Sequence, residues 1–143
     1  MKISTKGRYA LRIMLDLAMN SKDGLVPLKD VALRQGITLK YMEQVIHPLS
    51  QAGYLVSLRG QNGGYRLAKD PSEYRVGDIL RVVEGPLAPT ACLAAEQNEC
   101  PRASVCPTLD FWKGLDSAVN SYVDSYTLAD LLPRDNVEMT TDR

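Results

Sequence analysis

The sequence is poor in the residues that most catalytic machinery needs. It holds one histidine, His47, in 143 residues, so a Ser–His or Cys–His dyad has little to be built from. It has no Walker-type phosphate loop and no dinucleotide-binding glycine fingerprint. An enzyme is therefore the least supported class. No apolar run approaches the roughly 18 residues of a membrane span. The opening MKISTKGRYALRIML does not read as a secretory leader, because Arg12 breaks the apolar run and no small-residue cleavage site follows. A cytoplasmic protein without a membrane anchor is expected. Cysteine is scarce and odd in number: Cys92, Cys100 and Cys106 cannot all pair within one chain. In a reducing compartment they read as ligands or reactive thiols rather than a disulfide framework.

Net charge is also missing, with 17 Lys and Arg against 17 Asp and Glu. With 45% hydrophobic and 24% charged residues the composition is that of a folded globular chain, not a disordered one. Neutrality hides an asymmetry. Residues 1–75 carry twelve basic and six acidic side chains, net +6, and residues 76–143 carry five and eleven, net −6. Either the first half meets a polyanion or surface charge is merely scattered.

Periodicity predicts the elements. Ala10, Ile13, Met14, Leu17 and Ala18 recur at helical spacing, giving a helix from Tyr9 to Asn20 with Ser4 or Thr5 as a cap. A short helix fits Leu28 to Arg34, and Gly36 suits its left-handed C-terminal residue. Thr38 is placed to cap a third helix running from Leu39 towards Gln51, which Pro48 should kink or re-bond. Two strand candidates, 54–58 and 65–68, flank the polar tip Arg59-Gly60-Gln61-Asn62-Gly63-Gly64. Helix, turn, helix and two-stranded wing is the order of a winged helix-turn-helix, a mainly α fold with a small β-wing. A short helix over 76–83 follows. From Gly85 to Pro107 the chain loses periodicity and holds all three cysteines. Trp112, Leu115, Val119, Tyr122 and Tyr126 then form a seam on a long helix that wants a partner helix. The expected organisation is a DNA-binding region 1–83, a cysteine loop 84–106, a dimerisation helix with a short terminal helix over 107–132, and a flexible tail 133–143.

Three groups of residues suit a duplex. Lys40, Tyr41, Glu43 and Gln44, after the cap Thr38, should be exposed on the third helix. There Gln can bridge adenine, Glu can accept from cytosine, and Lys40 and Tyr41 can meet phosphate or sugar. Arg59 beside Gly60 can enter a narrow minor groove because the glycine lets the backbone approach closely. Lys2, Thr5 and Lys6 can clamp phosphates from the start of the first helix. Taken singly, each reads more readily as a solvated polar residue; their joint placement reverses that and favours DNA. The cysteine spacing, Cys92-x7-Cys100-x5-Cys106, lacks the close pairs of a zinc ribbon. Three thiolates from one loop can hold one face of an iron–sulfur cluster. Unliganded thiols fit the same spacing, and a redox disulfide is a third option.

The segments MKISTKGRYALRIMLDLA, YMEQ, LRGQNGGYRLAKD, VGDILRVVEGP and TLADLL together resemble the Rrf-type winged-helix regulators. That family includes the iron–sulfur regulator IscR, the nitric-oxide sensor NsrR and the cysteine-metabolism regulator CymR. The resemblance spans about residues 1–132, and it lies nearest the IscR-like, cluster-binding branch. It implies a homodimeric transcriptional regulator, such as a repressor, bound to a pseudo-palindromic double-stranded operator with half-sites about one helical turn apart. It also implies a 2Fe–2S cluster on Cys92, Cys100 and Cys106. The chain departs from the branch pattern in three places. Leu109 stands where IscR has a histidine, Arg8 where NsrR has an aspartate, and the first cysteine interval is seven residues rather than five. The fourth ligand is thus unassigned, with Asp110, Glu96 and Glu99 as candidates, and His47 is expected to be a surface or packing residue. The alternatives are a cluster-free thiol switch and a regulator acting through a protein partner.

Overall fold

The computed structural model describes residues 2–21 and 24–134, so residues 135–143 of the expected tail lie outside the described residues. Five α-helices and one two-stranded sheet are present among them: α1 (Thr5–Asn20), α2 (Leu28–Gln35), α3 (Leu39–Gln51), β1 (Leu55–Leu58), β2 (Gly64–Leu67), α4 (Val76–Glu84) and α5 (Leu109–Asp124). This is the expected winged helix-turn-helix followed by a long C-terminal helix.

The tight connection between α2 and α3 rests on two residues. Gly36 adopts φ 67°, a left-handed conformation that a Cβ would strain, and lets Ile37 N–H bond the Ala32 carbonyl at 3.1 Å. Thr38 then caps α3, its Oγ1 accepting from Tyr41 N–H at 3.1 Å. α3 buries Met42, Val45, Ile46 and Leu49 and continues through Pro48. These side chains join Ala10, Ile13, Met14 and Leu17 of α1 and Ile79 of α4 in the main core.

β1 and β2 pair antiparallel, with Leu55 opposite Leu67 and Leu58 opposite Gly64. Val26, from the α1–α2 connection, adds a third rung by exchanging two 2.8 Å bonds with Tyr65. That rung requires Gly64, because a Cβ there would lie 2.5 Å from the Val26 carbonyl oxygen. The second glycine of the GGY sequence therefore has a packing cause. Behind the wing, Tyr74 is 2% exposed and its hydroxyl donates to the Tyr54 carbonyl at 2.7 Å. Burial pushes the Tyr74 phenol above its ordinary range.

α1 begins at Thr5 rather than at Tyr9, because its first turn is held from outside by Glu84 at the end of α4. α5 is shorter than the seam implies: it starts at Leu109 and ends at Asp124, so Tyr126 lies beyond it. A second small core of Val76, Leu80 and Leu87, with Ile3, Leu11, Val119 and Val123 against it, ties α4, α5 and the base of the cysteine loop together. No helix among the described residues is long and apolar enough to cross a membrane.

One carboxylate is buried in the core. Asp16 is 2% exposed and accepts from Arg34 Nη2 at 2.7 Å, Arg34 Nε at 3.0 Å and Gln35 Nε2 at 2.9 Å. It pins α2 to α1, and Asp16→Ala is expected to lower the unfolding free energy by about 2–3 kcal/mol in urea denaturation. The loss stays below that of a fully buried pair because the Arg34 side chain is 40% exposed and can return its charge to water. A change under about 0.5 kcal/mol would mean the network contributes nothing.

Candidate nucleic-acid interface and cysteine loop

Because α3 turns its apolar side chains inward, Lys40, Glu43, Gln44 and His47 are left exposed, with Tyr41 half-buried. Thr38 is exposed too, although its hydroxyl is engaged as the cap. Tyr41 is steered from α1. Its ring meets Tyr9 edge-on at 5.7 Å, and the Arg12 guanidinium sits 4.6 Å over the Tyr9 ring. Arg12 in turn donates to Gln35 Oε1 at 2.9 Å, so α1, α2 and the recognition helix share one chain of contacts. His47 lies with Glu43, Ser50 and Tyr65 along a cleft of about 260 Å³ between α3 and the wing.

Arg59 and Gly60 are exposed at the tip of the wing. The turn is built from glycines: Gly60 has φ 114°, and Gly63 N–H bonds the Gly60 carbonyl at 3.0 Å. A Cβ on Gly63 would overlap the Leu58 carbonyl oxygen. The tip can therefore come close to a neighbouring surface and present Arg59 from it. At the start of α1, Lys2, Ile3, Ser4, Thr5 and Arg8 line a shallow cleft of about 340 Å³, with Lys2, Thr5 and Arg8 exposed and Lys6 half-buried. Arg8 Nη2 donates to Thr5 Oγ1 at 3.1 Å. All three expected DNA-facing groups are thus displayed rather than buried.

The cysteine loop is built of turns and one short 3-10 helix, Ala91–Leu93. Cys92 and Cys100 line one cleft of about 360 Å³ together with Ala91, Ala95, Gln97 and Glu99. Cys92 Sγ lies 3.1 Å from Thr90 Oγ1, and Cys100 N–H donates to Asn98 Oδ1 at 2.9 Å. Cys106 stands outside that cleft, at the approach to α5, with its Sγ 3.5 Å from Thr108 Oγ1. The Thr108 hydroxyl, with the Thr108 and Leu109 amides and the Arg102 charge, lowers the Cys106 thiol below its ordinary pKa. Of the three carboxylates considered as ligands, only Glu99 shares the cleft; Asp110 lies on the first turn of α5 and is exposed, as is Glu96. Among the described residues, no three His, Cys, Asp or Glu side chains converge at metal-binding distance. The donors suit iron in kind, being soft thiolates on one loop with an acidic neighbour, and they stand apart.

The seam of α5 divides. Val119 packs with Val123 against α4, whereas Leu115, Tyr122 and Tyr126 are 39%, 64% and 38% exposed. Trp112 is half-buried, edge-on to an exposed Phe111 at 5.0 Å, and no residue of α5 is buried. Sequence reasoning missed the polar contacts that hold α5 in place. Arg81 of α4 donates to Asp124 at 2.9 Å through both Nη atoms and to Asn120 Oδ1 at 2.8 Å. Asn120 Nδ2 donates to the Asp116 carbonyl at 2.8 Å and reaches the Leu87 carbonyl of the loop base at 3.4 Å. Gly77 makes room, since a Cβ there would overlap the Asp124 carboxylate.

Residues 3–134 match the family described as Rrf2, iron-dependent transcriptional regulator. The HTH-type transcriptional regulator IscR of Aliivibrio salmonicida is 39% identical over 143 residues, which is all of this chain and 84% of that protein. Among solved structures, T. potens IscR aligns with a TM-score of 0.72 at 39% identity, over 92% of this chain and 85% of its own. CymR, the global cysteine regulator of B. subtilis, aligns with a TM-score of 0.74, also at 39% identity, over 92% of this chain and 95% of its own. An IscR and a CymR are thus equally similar in sequence, so likeness of fold does not separate the two.

The lowered Cys106 pKa has a direct readout. Thr108→Val removes the leading cause, so the pH midpoint for iodoacetamide labelling of Cys106 is expected to move upward and labelling at pH 7 to slow. Identical rates in the two proteins, followed by mass spectrometry, would remove Thr108 from the account.

Proposed function

The chain belongs to the Rrf2 family of transcriptional regulators, and from that premise we propose that it is a homodimeric DNA-binding regulator that reads the state of a 2Fe–2S cluster on Cys92, Cys100 and Cys106. The observation that carries the reading is a loop with two thiols on one cleft and a third, acidified thiol beside it, placed between a winged head and an exposed aromatic helix.

In this reading residues 1–83 grip the duplex. Lys40, Tyr41, Glu43 and Gln44 face the major groove, and Thr38 fixes the helix end that presents them. Arg59 and Gly60 reach the minor groove, and Lys2, Thr5 and Lys6 take phosphates. Residues 107–132 pair two copies, with Trp112, Leu115, Tyr122 and Tyr126 burying their exposed faces while Val119 holds α5 to its own head. Two heads related by a two-fold axis then meet a pseudo-palindromic operator.

Cys92 and Cys100 would hold the group from the cleft and Cys106 from the start of α5, with Glu99 as the carboxylate that shares the cleft. A 2Fe–2S cluster, when bound, supplies a redox-active centre sensitive to oxygen and nitric oxide. The residues of residues 84–106 supply the thiolates and must draw together to do so, which is how loop order becomes coupled to the group held. A cluster-free thiol switch is the second reading, favoured by the separation of Cys106 from the Cys92–Cys100 cleft.

Two measurements test the proposal. Protein isolated without oxygen is expected to sediment as a dimer and to carry iron and acid-labile sulfide in equal amounts, both lost when the three cysteines are replaced by serine. A colourless, iron-free dimer would favour the thiol switch instead. On an operator selected from random sequence, Arg59→Ala is expected to weaken binding by roughly 1–3 kcal/mol at fixed salt. An affinity equal to wild type would take the wing tip off the duplex.

A further inference from the structure

Glu84, the last residue of α4, reaches across the fold to the first turn of α1. Its Oε1 accepts from Ser4 N–H at 3.0 Å and Gly7 N–H at 2.9 Å, and also from the Ser4 hydroxyl. Ser4 is the N-cap of α1, yet its side chain makes no cap bond to its own helix. The usual local solution, in which a serine hydroxyl bonds an amide of the next turn, is replaced by a carboxylate from nearly 80 residues away. Gly7 permits the approach, because a Cβ at that position would overlap the Glu84 carboxylate. A capping carboxylate at a helix N-terminus is favourable in itself. Here it also fixes the direction of the first turn, which carries Thr5 and Lys6, and of the segment with Lys2 that leads into it.

We propose that Glu84 is a positioning residue for DNA binding, holding the first turn of α1 so that Lys2, Thr5 and Lys6 meet the phosphates of a duplex together. The proposal rests on the reading of that turn as a phosphate clamp. It runs against simple electrostatics, in which a carboxylate near a phosphate only repels it. The charge of Glu84 is taken up by three donors and the helix dipole, and what remains is geometry.

The test is fluorescence anisotropy of a short, fluorescein-labelled random-sequence duplex, titrated over a range of salt concentrations. Phosphate contacts are independent of sequence and appear in the slope of log K against log salt, about 0.9 for each phosphate neutralised. Lys2→Ala/Lys6→Ala is expected to reduce the slope by close to two contacts. Glu84→Ala is expected to reduce it comparably and to weaken binding about tenfold near 0.1 M salt. Adding Glu84→Ala to the lysine pair is expected to cost nothing more. Glu84→Gln keeps an acceptor oxygen and should restore most of the slope. Gly7→Ala displaces the carboxylate without removing it, so it should reproduce the loss even if Glu84→Ala folds poorly. Tighter binding by Glu84→Ala, an unchanged slope, or a loss that adds in full to that of the lysine pair would each overturn the role of Glu84 and leave the clamp standing. A wild-type slope in the lysine pair would remove the clamp, and this proposal with it.

Discussion

The guanidinium of Arg81 is held by Asp124 and Asn120 of α5, and one turn further along α4 the Glu84 carboxylate holds the start of α1. On the same helix Val76, Ile79 and Leu80 are buried against α1 and α5. α4 is only nine residues long, too short to persist by itself in water, and it is stabilised by what it joins. The winged head, the base of the cysteine loop and the aromatic helix all meet on it. Arg81 is held above its ordinary pKa chiefly by the Asp124 hydrogen bond, and Asp124 is held correspondingly low by Arg81. The pair therefore stays charged from well below neutrality upward. Stability drawn from Asp124 is present above its unfolded pKa and fades as pH falls through its lowered folded value.

The core and the cysteine loop are separate. The core is made by α1, α2, α3 and α4 and by the two-stranded wing, and none of the cysteines enters it. The cysteine loop, held by turns, can vary without disturbing that core, and an IscR and a CymR match this chain at the same identity. What the loop cannot escape is its base. Leu87 is buried beside Val76 and Leu80, and its carbonyl meets Asn120. A change in loop order has a short path to both α5 and α4 through that residue.

Local features were legible in the sequence because their causes are local. Gly36 and Thr38 mark the turn between α2 and α3 by backbone conformation and capping, and the periodic apolar residues of α1 and α3 mark their buried faces. Strand spacing gave the wing, though the requirement for Gly64 came only from the nearness of Val26. The polar contacts that join distant elements left no pattern to read. Nothing in the order of residues pairs Glu84 with Ser4, Arg81 with Asp124, or Asp16 with Arg34. For that reason α1 starts four residues before its periodic apolar face suggests: its cap comes from the far end of α4. The seam of α5 was read as one surface, although Val119 turns inward and its neighbours turn out.

The central claim is that α4 makes the cysteine loop, the head and α5 one mechanical unit. Amide hydrogen exchange tests it most directly, comparing wild-type protein isolated without oxygen with the form in which Cys92, Cys100 and Cys106 are serine. Exchange is expected to rise in the serine form not only across residues 85–107 but also in the first turn of α1 and along the α4–α5 contact. A difference confined to the loop, or no difference anywhere, would contradict it.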